Sequence, residues 1–153
     1  MSTIDWAFYH SNAKFDHPNE NAVSLCKTLS QTHLIWIVSS RMQFYRQETK
    51  NWLSNYNIAY EELLLRPEFN VQACSKMKCD LIEQRLKHFN KSAQDIKLAI
   101  DDQEMNLFRM QIRFGCDTLL YKSNAKGCPT HDQEKIIKQR LNKLRFSQPS
   151  SYA

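Results

Sequence analysis

The chain has 153 residues, only two of them glycine, and a formal net charge of +5. So few glycines exclude the Gly-rich phosphate loops of the Walker and dinucleotide kinds, and the length suffices to bury one core but would be crowded for two. The positive surplus permits an anionic partner without requiring one.

The first stretch, "MSTIDWAFYHSNAKFDHPNEN", carries Trp6, Phe8, Tyr9 and Phe15 without a clear period and reads as a short helix or turn followed by a loop. Its aromatics either cover a sheet edge or form an interaction patch. Pro18 suits the first turn of a helix, along which Ala22, Leu25, Cys26 and Leu29 share one face. "HLIWIVSS" is a nearly continuous apolar run, the pattern of a strand covered on both sides, and it is expected to end at Ser39, Ser40 and Arg41. "YRQETKNWLSNYN" sets Thr49, Trp52 and Leu53 at helical spacing, and "EELLLRP" is a second short strand closed by Pro67.

From 71 to 89 the residues Cys74, Met77, Leu81, Ile82, Leu86 and Phe89 recur at three and four, which predicts a helix of several turns. "DIKLAIDD" predicts a strand ending in Asp101 and Asp102. "QEMNLFRMQIRF" returns to helix with Leu107, Phe108 and Ile112 as its inner side, stopped by Gly115. "CDTLLY" is a fourth strand, and a last helix carries Ile137, Leu141 and Leu144 inward. Lys122, Lys126, Lys135, Lys138, Arg140, Lys143 and Arg145 crowd this final quarter, either as a solvated helix face or as a seat for an acidic or nucleic-acid partner.

Cys26, Cys74, Cys79, Cys116 and Cys128 form an odd set with no CxxC spacing, which reads as reduced thiols in a cytoplasmic protein, with Cys26 and Cys116 in the core. No apolar run approaches the roughly 20 residues of a membrane span. Alternating helices and apolar strands predict an α/β fold: a three-layer, Rossmann-like parallel sheet with helices on both faces, in a single domain over 1–146 with a frayed tail over 147–153. In such a sheet the carboxyl ends of the strands line the ligand crevice, so Ser39 and Ser40 face the same space as Asp101 and Asp102. Two hydroxyls there either donate to a phosphate or merely make a turn. Two adjacent carboxylates either hold a hard cation such as Mg²⁺ or divide between solvent and a helix cap.

Taken in order, "IWIVSSR", Thr49 with Trp52 and Leu53, "Y..LLLRP" from Tyr60 to Pro67, a lysine-bearing helix, and "AIDD" followed by "LF......G" resemble the haloacid-dehalogenase (HAD) superfamily of phosphohydrolases. The best match is the branch related to the 3′-phosphatase domain of polynucleotide kinase, over roughly 6–121. In that family a strand-borne aspartate attacks phosphorus and a second aspartate two places on acts as general acid and base. The resemblance implies that Ser39 takes the phosphate-binding hydroxyl position, with Ser40 where glycine is commoner and Arg41 in the matching arginine place. It implies Lys78 as the phosphate-binding lysine, with Lys76 the runner-up, and Asp101 and Asp102 as the acidic motif that helps hold Mg²⁺.

One departure governs the functional expectation. The family's first motif, an apolar strand ending in Asp-x-Asp-x-Thr, has only "MSTID" in its place, and neither Asp5 nor Asp16 has an acid two residues on. The sheet is therefore expected to be truncated at its N-terminal strand and to compensate by rearranging, by pairing with another copy or by recruiting a partner strand. The expectation is a degenerate phosphatase-like domain that binds rather than turns over, with weak affinity for Mg²⁺. Its partners would be a second copy or another protein through the exposed sheet edge, or an anionic ligand such as nucleic acid. The alternative is a Mg²⁺-dependent phosphatase acting on nucleotide or nucleic-acid phosphate ends.

Overall fold

A computed structural model of the chain describes residues 17–122. The aromatics from Trp6 to Phe15, the last predicted helix, Cys128, the basic residues beyond Lys122 and the tail over 147–153 lie outside the described residues.

Helix α1 spans Glu20–Ser30, and the Asn19 side chain accepts from the Ala22 N–H at 3.0 Å to cap it. Pro18 therefore stands one residue before the cap rather than in the first turn, because asparagine offers the side-chain acceptor that a helix start needs. Strand β1 spans Trp36–Met42 and helix α2 Arg46–Asn55, joined by a 3₁₀ turn at Gln43–Tyr45. Strand β2 covers Glu62–Arg66 and helix α3 Cys74–His88. Strand β3 covers Leu98–Asp101, helix α4 Glu104–Phe114 and strand β4 Asp117–Leu120. Gly115 ends α4 with φ of 64°, the left-handed conformation that glycine adopts at least cost.

The class is α/β, as the alternation predicts. Among the described residues the strands form two parallel pairs, β1 with β2 and β3 with β4, rather than one continuous sheet. Side-chain bonds fix their directions. Arg85 clasps the Glu62 carboxylate at the start of β2 with two bonds of 2.8 Å, while Arg66 at its end donates to the Gln72 carbonyl just ahead of α3. Helix α3 therefore runs back along β2. Arg109 donates to Ser75, and Arg113 to Asp80 and Glu83, so α4 runs beside α3 in the same sense. Lys78, in the first half of α3, reaches Asp101 at the end of β3. All four strands thus end at one edge of the domain.

Leucines in β2 alternate between two cores, as period-two geometry requires. Leu64 joins Cys79, Ile82, Leu86, Met110 and Cys116 beneath α3 and α4, with Trp36, Val38 and Ala99 against them. Leu63 and Leu65 face the other way onto Leu53, with Ile37, Trp52 and Tyr60 around them. Helices therefore cover both faces of the first pair.

Several expectations need correction. The strand at "IVSSR" does not end there: Ser39 pairs with Leu65 and Met42 with Arg66, so Ser40 and Arg41 form a bulge inside β1. Helix α3 begins at Cys74 rather than 71, leaving Val71 fully exposed and Phe89 partly so. In α4 the inward stripe is Asn106, Leu107 and Met110, while Phe108 and Ile112 face outward, 48% and 67% exposed. Cys26 is only half-buried, whereas Cys79, not marked out by the sequence, is fully buried.

Candidate functional site

The geometry centres on the end of β3. The Lys78 ammonium lies 2.6 Å from Asp101 Oδ2, with both side chains about nine-tenths buried. The other oxygen, Oδ1, accepts from the Gln103 N–H at 2.9 Å and from the Asn106 amide at 3.0 Å. Burial pushes the Asp101 carboxyl up, but the Lys78 charge and these donors outweigh it and hold it below the usual carboxylate range. Asp102 behaves oppositely: partial desolvation and the adjacent Asp101 charge push its carboxyl above that range. One aspartate is thus fixed as an anion and its neighbour is the easier to protonate.

Lys76 points elsewhere, 3.4 Å from Asp80 and half-exposed, so Lys78 is the inward lysine of the two. Asn106 carries no signal as a functional residue in the sequence, since it is a polar side chain inside an apolar stripe. Its 3% exposure and its bond to Asp101 make it part of the site. The only hint available from sequence is its spacing, five residues after Asp101 and one turn before Met110.

At the bulge inside β1, the Ser39 hydroxyl oxygen accepts from the Arg41 N–H at 3.2 Å. This uses the acceptor side of the hydroxyl, whose proton can still be donated. Ser39, Ser40 and Arg41 are half-buried and share the carboxyl-end edge with the Lys78–Asp101 pair.

Between β1 and β3 lies a slot of about 910 Å³. Residues 34–38 form one side and 96–102 the other, with Asp101 and Asp102 at its end. Ile82, Leu86 and Met110 from α3 and α4 make one wall, and Leu25, Cys26 and Leu29 from α1 the opposite one. The face of α1 anticipated from its period is therefore a slot wall.

A magnesium ion fits the acidic pair poorly. Mg²⁺ prefers six oxygen ligands in near-octahedral array, yet both Asp101 oxygens are engaged by Lys78, Gln103 and Asn106. Among the described residues no group of three or more acidic, His or Cys side chains converges on a point.

No family model matches the sequence, and no curated protein matches it. Among solved structures, a chain in the structure of the Pnkp1/Rnl/Hen1 RNA repair complex is similar, with a TM-score of 0.65 at 19% identity over 73% of this chain. The chain spans 35% of that protein's length. The likeness supports the α/β fold. Among the described residues no helix is long and apolar enough to cross a membrane.

Proposed function

We propose that the chain is a HAD-like phosphohydrolase domain of the polynucleotide 3′-phosphatase branch that works by binding and not by turnover. It takes the phosphate end of a nucleic acid at the carboxyl edge of its strands and a protein partner along its open strand edges. The observation that carries this reading is the contact of Lys78 with Asp101 at the end of β3, which joins the lysine and the acidic motif that the family resemblance pairs. The likeness to a chain of an RNA repair complex agrees with a nucleic-acid ligand.

Binding is the form the chemistry favours. Both Asp101 oxygens are already engaged by Lys78, Gln103 and Asn106, so this carboxylate is held by its neighbours and not offered to phosphorus as an attacking group. Lys78 spends one of its three N–H donors on Asp101 and keeps two, and Ser39 keeps its hydroxyl proton. Because Asp101 neutralises the lysine, attraction for a phosphate is weak, on the order of 10⁻⁴ M, as for non-specific contacts.

The test compares an RNA oligonucleotide ending in a 3′-phosphate with the same oligonucleotide ending in a 3′-hydroxyl. Tighter binding of the phosphate end, reduced by Ser39→Ala, is expected, together with no hydrolysis of an aryl phosphate in Mg²⁺. Equal binding of the two ends overturns the ligand assignment. Hydrolysis abolished by Asp101→Asn would instead establish the second reading, a Mg²⁺-dependent phosphatase acting on nucleotide or nucleic-acid phosphate ends.

A further inference from the structure

We infer that the Phe69 ring is a stacking platform for a base of a single-stranded nucleic acid, beside the seat of its phosphate end. This rests on the nucleic-acid part of the reading above and adds a contact with a base to the contact with the phosphate.

The backbone carries the first sign. Pro67, Glu68, Phe69 and Asn70 form a turn closed by the Asn70 N–H on the Pro67 carbonyl at 3.2 Å. Phe69 holds its third position with φ of 61°, where glycine or asparagine is favoured and a bulky side chain is strained. Such a conformation persists only where its surroundings impose it, and Arg66 does so. Its guanidinium donates to the Asn70 carbonyl at 3.1 Å, to the Asn70 side-chain oxygen at 3.3 Å and to the Gln72 carbonyl at 2.9 Å.

The ring gives the fold nothing in return. Phe69 is 97% exposed, so among the described residues no apolar burial offsets the strain or the wetting of the ring. A rigid aromatic held outward on a strained turn suits a ligand with a flat apolar face, and every nucleobase has one.

Position joins the ring to the phosphate seat. Arg66 pairs with Met42, just past the bulge at Ser40 and Arg41. The loop that carries Phe69 runs from there to the first turn of α3, the helix that bears Lys78. It therefore links the neighbourhood of the Ser39 hydroxyl to that of the Lys78 ammonium, along the carboxyl-end edge. Phe44, 72% exposed, follows Met42 at the end of the neighbouring strand and offers a second ring on this edge. Glu68, exposed beside Phe69, disfavours an anion at the turn itself, so the loop meets the base while the phosphate lies toward Lys78. A protein groove is the poorer partner, because the strain fixes a single ring and the neighbouring donors suit an anion.

The test titrates the full chain with a single-stranded RNA hexamer ending in a 3′-phosphate, and with the same hexamer carrying abasic sugars at its last two positions. Phe69→Asn removes the ring and tolerates the positive φ. It is expected to weaken binding of the intact hexamer about tenfold and to leave binding of the abasic hexamer unchanged, without lowering the urea midpoint. Phe69→Trp is expected to keep the affinity, and Phe69→Cys to be alkylated rapidly in the RNA-free chain, as read by peptide mass. Unchanged binding in Phe69→Asn, an equal loss on the abasic hexamer, a lowered urea midpoint, or slow labelling of Phe69→Cys overturns the inference. A loss in Phe69→Asn that is the same for 3′-phosphate and 3′-hydroxyl ends, which the parent chain binds equally, removes the phosphate reading and leaves the platform standing. A preference for the phosphate end with no effect of Phe69→Asn removes the platform alone, and binding of neither RNA removes both.

Discussion

Lys78 and Asp101, 23 positions apart in sequence, meet at 2.6 Å with 11% and 8% of their side chains exposed, tying α3 to the end of β3. Removing one member of such a pair strands the other charge in a low-dielectric setting. Lys78→Met should therefore destabilise the domain by about 3–5 kcal/mol, measured by urea denaturation. Adding Asp101→Leu should restore much of that loss, since the stranded carboxylate is then gone. A double variant no more stable than Lys78→Met would show that Asp101 serves chiefly through Asn106 and Gln103.

Asp102 predicts the opposite dependence on pH. Its carboxyl is raised, so the folded chain holds that proton more tightly than the unfolded chain does. The contribution is present below the ordinary aspartate value and is lost as pH rises through the raised one. Asp101 is depressed, so its contribution is present above the ordinary value and lost as pH falls through the lowered one. Asp102→Asn should thus stabilise at neutral pH, on the order of 0.5 kcal/mol after solvent screening, and raise Tm by ~1–2 °C. The gain should vanish in acid. Thermal melts of both chains between pH 3 and pH 7 check the sign.

Much of this arrangement is legible in the sequence, for reasons that also explain the rest. The nearly continuous apolar run of β1 announces a strand covered on both faces, and the structure divides Trp36 and Val38 from Ile37 accordingly. The Ser-Ser-Arg stretch is misleading because local propensity cannot tell a strand end from a bulge. That distinction lies in the register with β2, a long-range property. Phe108 and Ile112 are assigned inward on hydrophobicity, yet Asn106 takes the inner position because a buried carboxylate needs its amide. Asp101 makes that demand from outside the helix, so the periodicity of α4 carries no trace of it. The division into two half-sheets is equally a matter of which edges meet, and no local pattern records it.

Thiol reactivity offers a check on the core. Burial pushes the Cys79 and Cys116 thiols up, and thiolate, not thiol, is the reacting species. Cys79 is 0% exposed and Cys116 6%. Both should resist alkylation in the folded chain at neutral pH and react once urea unfolds it, as read by peptide mass. Rapid labelling of Cys79 without denaturant would contradict the packing of α3 against β2 and α4.

Gly115 isolates a backbone effect from packing. Its φ of 64° closes α4, and a Cβ placed there would meet nothing within 4 Å. Any loss in Gly115→Ala is therefore conformational, the cost of holding an L-residue in the left-handed region, about 1–2 kcal/mol. Gly115→Asn should lose less, because asparagine tolerates that region better than alanine. Buried neighbours would play no part in either result. Chemical denaturation of the two variants should rank alanine below asparagine and asparagine below glycine. If alanine matched glycine, the turn from α4 into β4 would have to adopt another backbone path, and with it the pairing of Leu98 with Asp117 that begins the second half-sheet.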